Sequence, residues 1–261
     1  MTAVEIVFRV AVFLPFGLVF GSFLTVLIHR VPAGESVLQP RSRCPSCGTP
    51  LRAVDNIPVV SWLALRGRCH SCRARIPAVY PLTELATGAL FVAVALRYQD
   101  WWVAAMLAPF TGVLVALAVI DARTKKLPNR ILYPSIITAA VYLPIARLAG
   151  GEVDLLDAAI GFLAYGGGLL IVALIAPRGM GMGDVKLVAF IGLVLGAVAL
   201  ESVLVAAGLG ILFGGVGAIA ALVRGAGRKH ALPFGPFLAA GAIASVLFGP
   251  QIADLYVGLF T

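Results

Sequence analysis

Long stretches without a charged residue limit what this chain can fold into more than any other feature. Charge-free apolar runs occupy residues 10–28, 101–120, 158–177, 202–223 and 231–253. Each is long enough for a helix to cross bilayer hydrocarbon, which takes roughly 17–25 residues. Two shorter runs at 131–146 and 187–200, and one at 78–96 that carries Glu84 near its start, complete the set. Composition agrees: 61% of the 261 residues are apolar and 12% charged, against about 45–50% and about 25% in soluble domains. A water-soluble fold of this length cannot enclose so much apolar side chain. The same figures exclude disorder, collagen and a disulfide-rich secreted scaffold. The runs predict an all-α polytopic membrane protein of about eight helices. Runs 187–200 and 202–223 suit either a tight hairpin or one long broken helix. Glu5 and Arg9 make a poor cationic leader and no A-x-A site follows the first run, so it is expected to be an anchor with its N-terminus outside.

The charges can then be sorted by side. The net charge is +8, from 20 Lys+Arg and 12 Asp+Glu. With eight crossings, segments 29–77, 121–130, 178–186 and 224–230 share one face and hold 17 of the 20 basic residues, leaving Arg9, Arg97 and Arg147 opposite. The positive-inside rule makes the basic face cytoplasmic. Glu5, Asp100, Glu152, Asp154, Asp157, Glu201 and Asp254 fall outside. Nucleic acid is excluded as a partner: the cations are dispersed over four loops, without the stacking aromatics that a single-strand groove uses.

Three regions follow: residues 1–29 as a first anchor helix, 30–77 as a small cytoplasmic module, and 78–261 as the membrane domain that carries the chemistry. All four cysteines lie in the module, as Cys44-Pro-Ser-Cys47 and, after 21 residues, Cys69-His-Ser-Cys72. Two C-x-x-C pairs at this separation predict a tetrahedral zinc site, each pair forming a knuckle. Disulfides are rare in the cytoplasm, which counts against two bridges. Four thiolates leave no open position, so the zinc is expected to be structural, with His70 a bystander. A segment of this size also needs a staple in place of a full core.

Few acids remain at the cytoplasmic border. Asp121 follows the run 101–120 in Ala118-Val-Ile-Asp121-Ala-Arg, and Asp184 precedes the run at 187 in Gly179-Met-Gly181-Met-Gly183-Asp184-Val-Lys186. Glu84 sits in the first turns of the second membrane helix, and Glu35 and Asp55 belong to the module. Ionisable groups at membrane depth are costly and usually functional. Two carboxylates from different helices at one depth form the aspartic-protease arrangement, in which the pair shares a proton. Gly181 and Gly183 would let a substrate backbone approach closely. Lys186 is read as facing lipid phosphates rather than tuning Asp184. Gly166–Gly168 and Gly208–Gly217 are read as packing surfaces. An ordinary interfacial role for each aspartate stays open on residue chemistry alone.

Taken in order, the motifs bear a resemblance that covers nearly the whole chain. They are Gly21-Ser-Phe-Leu-Thr-Val-Leu-Ile-His-Arg-Val-Pro32, Pro40-Arg-Ser-Arg-Cys-Pro-Ser-Cys47, Asn56-Ile-Pro-Val-Val-Ser-Trp-Leu63, Arg66-Gly-Arg-Cys-His-Ser-Cys72 and Tyr80-Pro-Leu-Thr-Glu-Leu85. After these come Ile120-Asp121 with Leu127-Pro-Asn129, the glycine-rich segment ending Asp184-Val-Lys-Leu187, and Pro233-Phe-Gly-Pro-Phe237. The chain resembles the type IV prepilin leader peptidases, polytopic aspartic proteases of bacterial cytoplasmic membranes. The resemblance implies cleavage of prepilins and pseudopilins on the cytoplasmic side, after a Gly and before the hydrophobic pilin helix. It implies Asp121 and Asp184 as the catalytic pair, with Gly181, Gly183 and Lys186 in the supporting G-x-G-D motif. Through the intact cysteine module it also implies N-methylation of the new terminus by S-adenosylmethionine. Glu84 matches a glutamate of the family, where contact with the methyl donor or amine and a helix-cap role are both open. Thr25 stands where the family commonly has Asn, and no G-x-G-x-G nucleotide loop is visible. A membrane transporter with buried acids is the alternative, though no repeat relates the Asp121 and Asp184 halves. A zinc-module assembly scaffold would leave both aspartates dispensable.

Overall fold

A computed structural model of the chain describes residues 1–39, 42–176, 181–225 and 232–258, with the side chains of 253–258 set aside. Among these residues every regular element is helical, and extended structure is confined to two isolated antiparallel bridges. Among the described residues seven helical spans are long and apolar enough to cross a membrane. They are α1 (Ala3–Arg30), α3 (Val79–Arg97), α4 (Trp101–Thr124), α5 (Asn129–Leu148), a composite of α6 (Leu155–Gly161), a π turn (Phe162–Gly166) and α7 (Gly167–Ile175), then α9 (Leu200–Val223) and α10 (Gly235–Gly258). A short α2 (Val60–Ala64) lies between α1 and α3.

The expected run 187–200 becomes α8 (Met182–Gly196), only 15 residues long. At 1.5 Å per residue it spans about 22 Å, short of the ~30 Å of hydrocarbon. Leu187, Val188 and Ile191 are fully enclosed, and a helix surrounded by protein need not match lipid thickness. The count of about eight therefore resolves into seven lipid-length spans and one short enclosed helix. Ala197 to Ala199 separate α8 from α9, with Ala199 in an extended conformation (φ −169°, ψ 138°).

The chain divides into two compact units, Met1–Leu96 and Arg97–Thr261. In the first, α1 crosses α3 closely: a Cβ on Gly17 would fall 2.8 Å from Gly88 Cα, and one on Gly21 the same distance from Glu84 Cα. Small residues are what allow helices to approach to this degree in a bilayer. Arg9, buried within α1, donates from Nη1 to the Ala95 carbonyl at 2.9 Å, placing a cation on the last turn of α3 where carbonyls lack helical partners. α3 thus packs on α1 within this unit.

In the second unit α4 is the central helix, with Leu107, Leu114 and Leu117 fully buried. Asp100 caps the start of α4 through Val103 N–H (2.8 Å), and Asp154 caps α6 through Leu156 N–H (2.8 Å) and Asp157 N–H (2.9 Å). Two of the acids assigned to the outer face are therefore helix caps. The composite span meets α8 backbone to backbone, Gly161 on Gly192 and Gly166 on Ala189. From the glycine-rich α9, Gly210, Gly214 and Gly217 receive Leu238, Phe234 and Phe237, whereas Gly208 and Gly215 have nothing within 4 Å. The packing role expected for Gly208–Gly217 thus falls on three of its glycines.

Candidate functional site

Asp121 lies in the last turn of α4, where its own carbonyl accepts Lys125 N–H at 2.8 Å and Lys125 ends the helix in a left-handed conformation (φ 53°). Its side chain is buried at 5% exposure, and Oδ2 accepts Gly235 N–H at 3.0 Å. Asp184 lies in the first turn of α8, after Gly181 at the N-cap, where the helix dipole favours negative charge. Its Oδ2 reaches back to 3.3 Å from the position a Cβ on Gly181 would take. Asp121 is near enough for its charge to act on the Asp184 carboxyl. Asp121 thus stands at the end of α4 and Asp184 at the start of α8, within reach of each other's charge.

Two sequence motifs interlock beneath it. A Cβ on Gly183 would fall 2.9 Å from Leu127 Cβ, so the second motif is seated against Leu127-Pro-Asn129 of the first. Lys186 Nζ donates to Asn129 Oδ1 at 2.9 Å and stands 4.9 Å from the centroid of the Tyr133 ring. Lys186 was expected to face lipid phosphates; its ammonium instead bridges α8 to the start of α5, because Asn129 opens that helix one turn from Tyr133. Gly179 lies outside the described residues.

The cysteines form a second centre, in the first unit. Each pair sits inside a bridged loop, Arg43 with Pro50 and Arg68 with Arg75. The hydrogen bonds repeat: Cys44 N–H to Thr49 O and Gly48 N–H to Cys44 O in one loop, Cys69 N–H to Ala74 O and Arg73 N–H to Cys69 O in the other. Gly48 (φ 71°) and Arg73 (φ 60°) take the same left-handed position. All four cysteines are free thiols with sulfurs within 4.8 Å of one another, and Cys44 Sγ lies 3.8 Å from Cys72 Sγ. A tetrahedral ion with bonds of about 2.3 Å sets its sulfurs about 3.8 Å apart, so this donor set fits a metal. The Thr49 hydroxyl, 3.2 Å from Cys47 Sγ, holds that thiol down to about 6 and so favours the thiolate a metal needs.

The metal cluster does not include His70, whose Nδ1 lies 3.1 Å from Asp55 Oδ2 without hydrogen-bond alignment. Asp55 is gripped by Arg52 through Nε and Nη2, both at 2.9 Å, and this pairing holds its carboxyl at about 2. Glu84 is buried, and its Oε2 accepts Val59 N–H at 2.8 Å. Val59 has φ 62° and ψ −50°, and Val60 N–H bonds to Pro58 O across it at 2.6 Å. This is a γ-turn of the rare strained form, on a β-branched residue, clamped by the carboxylate. The hydroxyl of Thr25 bonds back to Ser22 O at 2.7 Å within its own helix.

Sequence reasoning did not anticipate the Gly235 contact, the partner of Lys186 or the clamp on Val59. The first lies in Pro233-Phe-Gly-Pro-Phe237, a motif recognised without a role, and the second in Leu127-Pro-Asn129, recognised as part of the first catalytic motif but with no partner assigned to Asn129. Nothing in the residue types at 58–60 signals a γ-turn.

Residues 108–223 match the type IV leader peptidase family, and residues 15–98 match the bacterial peptidase A24 N-terminal domain. The chain is 38% identical to a prepilin leader peptidase/N-methyltransferase of Aeromonas hydrophila, over 94% of this chain and 92% of that protein. It is 37% identical to one of Bacillus subtilis, over 93% and 95%, and 37% identical to one of Neisseria gonorrhoeae, over 85% and 84%. No solved structure matches.

Proposed function

The chain belongs to the type IV leader peptidase family, and on that premise we propose that it removes the leader peptides of type IV prepilins and pseudopilins and then N-methylates the new terminus. It is a multi-pass inner-membrane enzyme, and the active site and cysteine module are read as facing the cytoplasm because the basic loops favour that side. The relatives are peptidases, which leaves the transporter reading without support.

What supports the peptidase reading is the family match together with the positions of Asp121 in the last turn of α4 and Asp184 in the first turn of α8, near enough for their charges to interact. Between two carboxylates sharing one proton, the ionised member takes a proton from water as the oxygen attacks the scissile carbonyl, and the protonated member donates to the carbonyl oxygen. The tetrahedral species then collapses as the dyad returns a proton to the scissile nitrogen and the C–N bond breaks, leaving the leader with a carboxyl end and the pilin with a free amine. The pair titrates as a unit, so acid and base are roles of the dyad rather than of one residue. Gly181 leaves room for an extended substrate backbone, Gly183 seats α8 against Leu127, and Lys186 fixes α8 on Asn129 so that Asp184 keeps its depth.

In the methylating half, Cys44, Cys47, Cys69 and Cys72 hold a structural zinc ion that shapes the module. Glu84 serves this half by holding the Pro58–Val60 turn. S-adenosylmethionine is the methyl-donating co-substrate. The test is incubation of the purified enzyme with a prepilin carrying a Gly-Phe junction and methyl-labelled S-adenosylmethionine. Mass analysis should find a pilin beginning at Phe and carrying the label. An uncut prepilin would refute the peptidase reading, and cleaved but unlabelled pilin would refute the methyltransferase one.

A further inference from the structure

The segment Pro233-Phe-Gly-Pro-Phe237 has no part in the mechanism above, yet it touches the dyad. Gly235 is the first residue of α10, and its N–H points at Asp121 Oδ2 at 3.0 Å in a buried setting. Among the described residues this is the hydrogen bond that the Asp121 side chain accepts. Pro236 has no N–H to offer, and the Phe237 N–H already bonds to Phe234 O at 3.1 Å. The leading amide of α10 is therefore the donor its first turn directs at the carboxylate, with the positive end of the helix behind it.

Glycine is required at 235 by space. A Cβ there would lie 2.7 Å from Asp121 Oδ2, 3.1 Å from Cγ and 3.2 Å from Cβ, so the whole carboxylate arm would have to move. The position of Gly235 is in turn set by α9. Phe234 lies over Gly214, where a Cβ would come within 2.5 Å of Cε2, and Phe237 lies over Gly217. Leu238, fully buried, fills the space over Gly210. Two prolines restrict the backbone around these anchors. A mechanical chain thus runs from the glycines of α9, through the seated phenylalanines, to one amide and the reacting carboxylate.

We infer that Gly235 is a positioning residue for proteolysis: its N–H and its missing side chain fix the Asp121 carboxylate for attack, and Phe234 seated on Gly214 fixes Gly235. A dyad works only while both carboxylates hold the geometry that water and carbonyl require, and displacement of about 1 Å can lower turnover 10²-fold. Substrate binding does not depend on that geometry, so loss should appear in kcat and not in KM.

This inference rests on the peptidase reading, and prepilin cleavage kinetics separate the two. Gly235→Ala should lower kcat roughly 10- to 100-fold, with KM and the thermal midpoint close to wild type. Affinity for a hydroxyl-bearing peptide mimic of the tetrahedral intermediate should fall in parallel with kcat. Gly214→Ala, remote from the dyad in sequence, should reproduce the loss by pushing Phe234, and Gly214→Ala with Phe234→Leu should recover most of it, since leucine removes the ring edge that clashes. Unchanged kcat in Gly235→Ala would overturn the inference. So would a joint fall in kcat, substrate affinity and thermal midpoint that Phe234→Leu does not relieve, because that pattern marks packing alone. A wild-type enzyme that fails to cleave would sink the peptidase reading and this inference with it; wild-type cleavage with an unaffected Gly235→Ala would sink the inference alone.

Discussion

Gly192→Ala and Gly208→Ala are the same chemical change on two membrane helices, and they should move stability in opposite directions. Gly192 of α8 faces the composite span with no gap. A Cβ there would overlap the Gly161 carbonyl oxygen and lie 2.7 Å from Gly161 C and 3.2 Å from Phe162 N. These are backbone atoms and cannot rotate away. Restoring ordinary carbon contacts of about 3.5–4.0 Å requires the helices to part by about 1 Å. Overpacking of this kind costs about 1–3 kcal/mol, offset in part by the roughly 1 kcal/mol by which alanine is the better helix former. Gly208 of α9 has nothing within 4 Å, so only the helix-propensity gain remains there. The two variants should differ by about 1–3 kcal/mol, or several degrees at roughly 2–4 °C per kcal/mol. The assay is thermal unfolding in one detergent, followed by intrinsic fluorescence. Gly192→Ala should also lose prepilin turnover, because α8 carries Asp184. Equal shifts for both variants, or Gly192→Ala the more stable, would refute the close crossing.

Other outcomes follow from the first unit. Metal analysis of the purified protein should find about one zinc per chain, lost in Cys44→Ser and on acidification as protons compete for the thiolates; a zinc content near zero in reducing buffer at neutral pH contradicts the site. The Asp55 carboxyl should titrate at about 2 when followed by its 13C shift, and a midpoint near 4 would mean that Arg52 does not grip it. Because its folded value lies below the ordinary one, the pair stabilises the module at neutral pH and that contribution is lost as pH falls from about 4 to 2. Glu84→Ala should free the strained Val59 turn and reduce methylation more than cleavage, while Glu84→Gln, which keeps an oxygen acceptor, should retain most of both. Equal loss of both activities in Glu84→Ala would show that the clamp serves the whole enzyme.

Much of this architecture was legible in residue order. Charge-free runs marked the spans because lipid tolerates no unpaired charge, and the C-x-x-C spacing marked the knuckles because four residues close one turn around a metal. The scarcity of acids at one border pointed to Asp121 and Asp184. Length rules were less informative for α8, since enclosure by neighbours removes the need to match the bilayer. The contacts that fix the site were not legible for a related reason. Gly235 meets Asp121 from 114 positions away, and Lys186 reaches Asn129 across 57. Such pairings depend on how helices cross, which periodicity does not encode. Lys186 shows the limit well: lysine at a helix end usually extends to phosphate, and here a neighbouring helix start supplies the acceptor.

The central claim is that Asp121 and Asp184 act as one catalytic pair. Its most direct test is the prepilin cleavage rate of Asp121→Asn and Asp184→Asn, each assayed beside methylation of a pilin already lacking its leader. Asparagine keeps size and polarity but can no longer exchange the proton. Each variant should lose about 10²–10⁴-fold or more in cleavage while still methylating the mature pilin, which shows that the fold is intact. Cleavage at the wild-type rate by either variant would contradict the account.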